Sequence, residues 1–167
     1  GVSVYSSNYA LYGDMSARVM RTLGEFTPDM EIYSIDEAFL RLDGVIGATG
    51  DAADYCRRMR ETVGRWTGMP ISIGAGPTKT LAKIANRFAK KTPGLNGVLD
   101  LGSVPDMDAF LKQVDVGDVW GVGRRYTRML GVHGIRNALQ LKNASTTWAK
   151  RKMTVNGMAT VLELRSI

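Results

Sequence analysis

The sequence predicts an α+β unit followed by a small all-helical module. Three observations lead there. Helix-period and strand-type segments alternate up to about residue 102, no strand pattern appears beyond Ser103, and the charge changes sign in blocks along the chain. The 167 residues are 44% hydrophobic and 23% charged, close to the globular average, so a disordered, collagen-like or membrane chain does not fit.

The first element is a short strand end at Val2–Tyr5, followed by Ser6, Ser7 and Asn8, which are good helix N-cap types. Tyr12, Met15, Val19, Leu23 and Phe26 then recur at spacings of three and four, predicting an amphipathic helix that ends before Pro28. Gly13 and Gly24 weaken it by about 1 kcal/mol each relative to alanine. Met30–Asp43 is strand-like, with Ala38, Leu40 and Leu42 alternating against Phe39, Arg41 and Asp43. Its length allows two strands with a tight bend near Ile35–Glu37.

Residues Gly44–Gly50 read as a glycine-rich loop, after which Asp51 starts a helix with the stripe Ala52, Cys56, Met59, Val63 and Trp66. Cys56 is expected in the core, since free cysteine behaves as a small buried hydrophobe. Ile71–Ala75 is a short strand, Thr78 caps a helix over Lys79–Lys91 with the stripe Leu81, Ile84, Ala85 and Phe88, and Gly97–Leu101 is the last strand. From Ser103 onward, short helical pieces are punctuated by Gly117, Gly121, Gly123, Gly131 and Gly134.

Lysine and arginine total 22 against 16 acids, a net charge of +6, which suits a polyanionic partner. Residues 1–56 carry 3 bases and 9 acids, and residues 57–96 carry 9 bases and 1 acid. Residues 97–119 carry 1 base and 5 acids, and residues 120–167 carry 9 bases and 1 acid. Two basic blocks around an acidic one would suit a grip on a phosphate backbone at two places, or would be charge clustering without a role. One cysteine and one histidine, Cys56 and His133, cannot build a Cys/His metal cluster and point to a reducing compartment. No charged-then-apolar leader opens the chain and no stretch reaches the roughly 20 apolar residues of a membrane span, so a cytoplasmic location is expected.

Three segments can carry chemistry. Asp36 and Glu37 are neighbouring carboxylates, and on a straight strand they would point to opposite faces. A bend between them would let both meet a hard divalent cation such as Mg²⁺; otherwise they are solvated turn residues. Lys79, Lys83, Arg87 and then Lys90 or Lys91 line one helix face that begins at a helix N-terminus, where backbone N–H groups favour an anion. That face binds phosphate or is an ordinary solvated surface. The run Gly74–Thr80 is not a nucleotide-binding P-loop, because the spacing of that motif is absent. In the third segment, Gly121-Val122-Gly123-Arg124-Arg125 follows Trp120. It is either a helix-hairpin-helix whose exposed N–H groups and arginines hold a DNA backbone, or a tight helical turn. His133 reads as an exposed loop residue without a role.

Together, Tyr33-Ser34-Ile35-Asp36-Glu37-Ala38-Phe39, Thr78-Lys79-Thr80-Leu81-Ala82-Lys83-Ile84-Ala85-Asn86 and Asp118-Val119-Trp120-Gly121-Val122-Gly123-Arg124-Arg125 resemble the Y-family translesion DNA polymerases. Within them, the Ser6-Ser7-Asn8-Tyr9 opening, the Lys-Thr-Leu-Ala-Lys core and Trp120 look most like the UmuC-type branch, the catalytic subunits of bacterial DNA polymerase V. The resemblance implies a partial palm over residues 1–102 with a mostly antiparallel sheet. It implies a helical thumb over 103–167, with a helix-hairpin-helix near 118–135. It makes Asp36 and Glu37 the metal-binding carboxylates of a two-Mg²⁺ centre, and Lys83, with Lys79, the contact to the deoxynucleoside triphosphate. Gly121, Val122, Gly123, Arg124 and Arg125 would hold primer–template DNA. It further implies an accessory subunit dimer and a recombinase filament as partners, and a bacterial, nucleoid-associated setting.

The family's N-terminal aspartate strand, its fingers and its little finger have no counterpart in this sequence. The expectation is a fragment that is inactive alone and that self-associates through uncovered sheet edges and apolar surface. The alternative is a non-enzymatic DNA-backbone-binding module in which Asp36 and Glu37 are structural.

Overall fold

The computed structural model describes residues 1–167, except for the side chains of Ala48 and Thr49. The chain gathers into two compact units, Gly1–Ile71 and Ser72–Ile167.

In the first unit, helix α1 (Tyr9–Gly24) starts where Asn8 accepts a 3.1 Å hydrogen bond from Leu11 N. Helix α3 (Ala52–Thr67) starts where Asp51 accepts from Ala53 N and Asp54 N at 2.8 and 3.2 Å. Both caps satisfy backbone donors that a helix leaves open. The two helices pack on each other, and the core holds Met20 and Leu23 of α1 with Tyr55, Cys56, Met59 and Val63 of α3. Cys56 is fully buried, as expected.

Strands β1 (Met30–Ile32) and β2 (Ala38–Leu40) form the expected hairpin, antiparallel with Met30 opposite Leu40 and Ile32 opposite Ala38. Its base is tied by the Thr27 hydroxyl, which donates to Arg41 O at 2.9 Å, and by Arg41 N, which donates to Asp29 O at 2.9 Å.

Three local expectations for this unit are corrected. Val2–Tyr5 is not a strand, and Val2 and Tyr5 are 93% and 85% exposed; among the described residues nothing offers the segment a ladder partner. Gly44–Gly50 is mostly helical, as α2 (Asp43–Thr49), which packs against α3 and ends at Gly50 with a positive φ of 82°. There, packing outweighs the weak helix propensity of Gly44 and Gly47. Trp66 is 63% exposed, and Tyr55, three turns earlier on the same face of α3, takes the core position instead. Tyr55 is covered by Phe26, edge to face at 5.7 Å, whereas Trp66 borders a shallow cleft of about 300 Å³ with Arg18 and Arg21.

In the second unit, β3 (Ile73–Ala75) and β4 (Val98–Asp100) are parallel, with Ile73 opposite Val98 and Ala75 opposite Asp100. Helix α4 (Lys79–Lys91) makes the crossover that a parallel pair requires. The sheet is therefore not mostly antiparallel among the described residues: one hairpin and one parallel pair stand as separate two-stranded sheets. Gly74 is needed for the packing of β3 on α4, because a Cβ there would lie 2.0 Å from Asn86 N and 2.3 Å from Ala82 O.

The rest of this unit is helical: α5 (Met107–Gln113), a 3-10 turn at Val116–Asp118, α6 (Arg124–Val132), α7 (Ala138–Lys142) and α8 (Thr146–Leu164). Leu81 and Ile84 of α4 share one buried core with Leu111, Val116, Leu130, Leu141, Met153 and Leu164. That shared core places β3, α4 and β4 in one unit with the helices, so the compact units divide elsewhere than at the composition shift near residue 102. Helix α8 is broken at Thr154, whose φ of 69° and ψ of −169° are non-helical. No helix among the described residues is long and apolar enough to cross a membrane.

Candidate nucleotide and nucleic-acid site

The five residues Tyr33–Glu37 link β1 to β2, and they close on one acceptor. The carbonyl of Glu37 takes hydrogen bonds from both Tyr33 N and Ser34 N at 3.0 Å, which bends the chain between Ser34 and Asp36. The Tyr33 and Phe39 rings meet edge to face at 5.8 Å beside this bend. Within it the Ser34 hydroxyl donates to Asp36 Oδ1 at 2.7 Å and accepts from Asp36 N at 3.4 Å. The Ser34 hydroxyl thus orients the Asp36 carboxylate.

Asp36 is exposed and borders a mostly apolar cleft of about 390 Å³ with Tyr12, Met15 and Val19 of α1, Ile35 and Pro70. It is the one acidic side chain among the described residues of that lining. Glu37 is half-buried. Adjacent carboxylates at a bend are hard oxygen donors of the kind Mg²⁺ takes, usually one or two per ion with water and phosphate completing the shell. Among the described residues no group of three or more His, Cys, Asp or Glu converges.

The second unit carries the other two predicted segments. Helix α4 begins as expected, with the Thr78 hydroxyl accepting from Leu81 N at 3.4 Å. Its N-terminus already meets an anion, because Glu163 Oε2 at the end of α8 accepts from Thr80 N at 2.7 Å. The Thr78 hydroxyl also donates to Glu163 O at 2.9 Å. Sequence reading missed Glu163, and no local signal could have found a partner 83 residues away.

Lys79 is exposed and Lys83 half-buried, with Lys83 Nζ 5.8 Å from the centroid of the Trp120 ring. Farther along the face, Arg87 pairs with Asp118 Oδ1, and Lys91 Nζ lies 3.5 Å from Asp118 Oδ2. The basic helix face and the Asp118–Trp120 segment therefore pack together.

Gly121 has a φ of 84°, a conformation that disfavours any side chain, and Val122 N donates back to Val119 O at 3.0 Å to close the turn. Val119 and Val122 are buried and pin the turn to the core, so Val122 can offer a ligand only its backbone. Gly123, Arg124, Arg125 and Arg128 are exposed, and α6 starts at Gly123 without a side-chain cap. The element before the turn is the 3-10 turn Val116–Asp118 rather than an α-helix. His133 is exposed as expected, and its ring meets Trp148 edge to face at 5.3 Å.

A family model described as the impB/mucB/samB family matches residues 2–87. The chain is 46% identical over 166 residues to the protein UmuC of Salmonella typhimurium, covering 99% of this chain and 39% of UmuC. It is 31% identical over 134 residues to a DNA polymerase IV of Treponema denticola, covering 80% of this chain and 33% of that protein. Among solved structures it resembles an insertion ternary complex of Dbh DNA polymerase, with a TM-score of 0.76 at 23% identity, over 94% of this chain and 44% of Dbh. It also resembles DinB from Sulfolobus solfataricus, with a TM-score of 0.74 at 24% identity, over 96% of this chain and 46% of DinB. At those identities the structural likeness speaks for the fold. The chain spans about two fifths of the length of the UmuC, ImpB and SamB proteins it matches.

Proposed function

This chain belongs to the impB/mucB/samB family, and on that premise we propose that it is the palm-and-thumb portion of an error-prone, Y-family translesion DNA polymerase. The palm runs over residues 1–102 and the thumb over 103–167, with the DNA-holding hairpin near 118–135. The observation that carries the reading is the β1–β2 bend, where Ser34 steers the Asp36 carboxylate at the rim of a cleft, one residue before Glu37 in the sequence.

In this reading Asp36 and Glu37 hold Mg²⁺, which when bound neutralises charge developing on phosphate oxygens. The chain's own residues do the positioning. Lys83, with Lys79, meets the triphosphate of the incoming deoxynucleotide. The backbone N–H groups that follow Gly123 at the start of α6, flanked by Arg124 and Arg125, grip the duplex backbone without reading bases. Template-directed nucleotidyl transfer needs little covalent work from the protein beyond such positioning and charge neutralisation. An accessory subunit dimer and a recombinase filament are partners of the whole polymerase in this proposal. Self-association of the isolated chain is supported by exposed apolar residues such as Val2, Tyr5, Tyr9 and Leu11. A monodisperse monomer in light scattering over a wide concentration range would overturn that last point.

The test of function is Mg²⁺-dependent primer extension by a hybrid in which this chain replaces the aligned 166 residues of Salmonella typhimurium UmuC. The hybrid is expected to extend, and Asp36→Ala or Glu37→Ala to slow it by about a hundredfold or more. Extension that survives either change overturns the site. A hybrid that binds DNA with the expected salt dependence yet never extends a primer points instead to a backbone-binding module.

A further inference from the structure

Trp66 stands on the core-facing stripe of α3 and is not covered. The same stripe buries Cys56, Met59 and Val63 at 0–2% exposure, then reaches Trp66 at helical spacing, where exposure rises to 63%. The last turn of α3 and the C-terminal half of α1 leave a shallow cleft there of about 300 Å³, lined by Arg18, Arg21, Thr22, Glu25, Trp66 and Thr67.

Both cations of the lining are arginines, and residues 1–71 hold seven arginines and no lysine. Tryptophan and arginine are the side chains enriched where proteins meet, and lysine is depleted there, whereas a phosphate backbone accepts either cation. Arg21 Nε donates to Ala17 O at 3.3 Å, and among the described residues no carboxylate pairs with this guanidinium. Arg18 Nη2 lies 2.9 Å from Asp14 Oδ2, an exposed pair of the kind that exchanges at little cost. The two hydroxyls are engaged on their own helices, Thr22 donating to Arg18 O at 2.9 Å and Thr67 to Val63 O at 2.7 Å. Polar recognition at the cleft therefore falls to the arginines and Glu25.

We propose that this cleft docks an acidic segment of a partner protein, with an apolar side chain laid on the Trp66 indole and a neighbouring carboxylate held by Arg21 and Arg18. An indole gives an apolar side chain a large contact area, and a guanidinium gives a carboxylate charge-assisted hydrogen bonds. Glu25 repels acid at its own end of the cleft, which sets the direction of the segment. None of these residues takes part in the polymerase reading above, so the surface is a further function of the Gly1–Ile71 unit.

The experiment is two-dimensional amide NMR of the chain at low salt, titrated with the acetylated pentapeptide DEFDE. The charge-reversed peptide KKFKK and a thymidine pentanucleotide are titrated in parallel. DEFDE is expected to shift the Trp66 indole N–H saturably, and KKFKK to leave it in place. Followed at the Arg21 amide, Trp66→Ala should weaken DEFDE binding about fivefold or more. Followed at the Trp66 indole, Arg21→Ala should weaken it roughly two- to fivefold, the range of an exposed ion pair. Glu25→Gln removes the repelling charge and should tighten binding, a gain that a damaged fold would not produce. A Trp66 signal that DEFDE does not move, or that KKFKK moves as far, overturns the proposal. A larger response to the thymidine pentanucleotide also overturns it and makes the cleft a nucleic-acid surface. Loss of the DEFDE response in the UmuC hybrid shows that other parts of the polymerase cover Trp66, and overturns docking of an external partner.

Discussion

The carboxylate of Glu163 accepts a 2.7 Å hydrogen bond from the backbone N–H of Thr80, so the last turn of α8 closes the first turn of α4 across 83 residues of sequence. The backbone carbonyl of Glu163 adds a second tie by accepting from the Thr78 hydroxyl at 2.9 Å. Helix α4 has no acidic residue in its own first turn. Glu163 supplies both the missing acceptor and the negative charge that the helix dipole favours there.

Glu163→Ala is therefore expected to destabilise the fold by about 1–2 kcal/mol, the range for losing a helix N-cap, read as a lower urea midpoint with unchanged slope. Glu163→Gln keeps an acceptor and loses only the charge, so its cost should be about 0.3–1 kcal/mol and should shrink with added salt.

Two glycine-to-alanine changes should move stability in opposite directions. Gly74→Ala drives a Cβ into the backbone of α4 at 2.0 Å from Asn86 N, and a backbone cannot swing aside as a side chain tip can. A loss of at least about 3 kcal/mol or failure to fold is expected. Gly64→Ala lies inside α3, where a Cβ meets nothing within 4 Å, and should stabilise by about 0.5–1 kcal/mol. Urea denaturation of the two variants side by side checks both.

Thr154 interrupts α8 with a φ of 69° and a ψ of −169°, a region that a β-branched residue enters only under strain. Thr154→Gly is expected to raise stability by about 1 kcal/mol, seen as a higher thermal midpoint, even though glycine usually costs entropy. An unchanged or lower midpoint would count against strain at this position.

Arg124 and Arg125 stand exposed at the uncapped start of α6. If they neutralise DNA phosphates, log affinity for duplex DNA should fall linearly with log salt. Replacing both with alanine should then make the slope shallower by about 0.9 per lost phosphate contact, up to about 1.8. Sequence preference should stay slight, since contacts to the phosphate backbone carry no base information. A fluorescence anisotropy titration at four or five salt concentrations measures both slopes.

Much of the fold was legible because its determinants are local. Asn8, Asp51 and Thr78 cap helices through side-chain oxygens that reach backbone donors two or three residues ahead, so residue type and spacing suffice to find them. The stripe of Leu81, Ile84 and Ala85 on α4 became core for the same reason: helical period alone gathers them on one face. The helix α2 was missed because its glycines argue for a loop, and only packing against α3 outweighs them. Trp66 was misplaced because period gives an azimuth, and whether a ring is covered depends on what lies opposite it.

The site divides along the same line. Neighbouring acids at a bend, a basic helix face and paired glycines before arginines are local patterns, so the order of residues alone makes them legible. The tertiary structure decided which groups answer them: Ser34 on Asp36, Glu163 on the start of α4, Asp118 and Trp120 on its basic face. The last three join residues 27 to 85 apart in sequence, and such contacts form only after a shared hydrophobic core has brought distant segments within hydrogen-bonding or van der Waals reach.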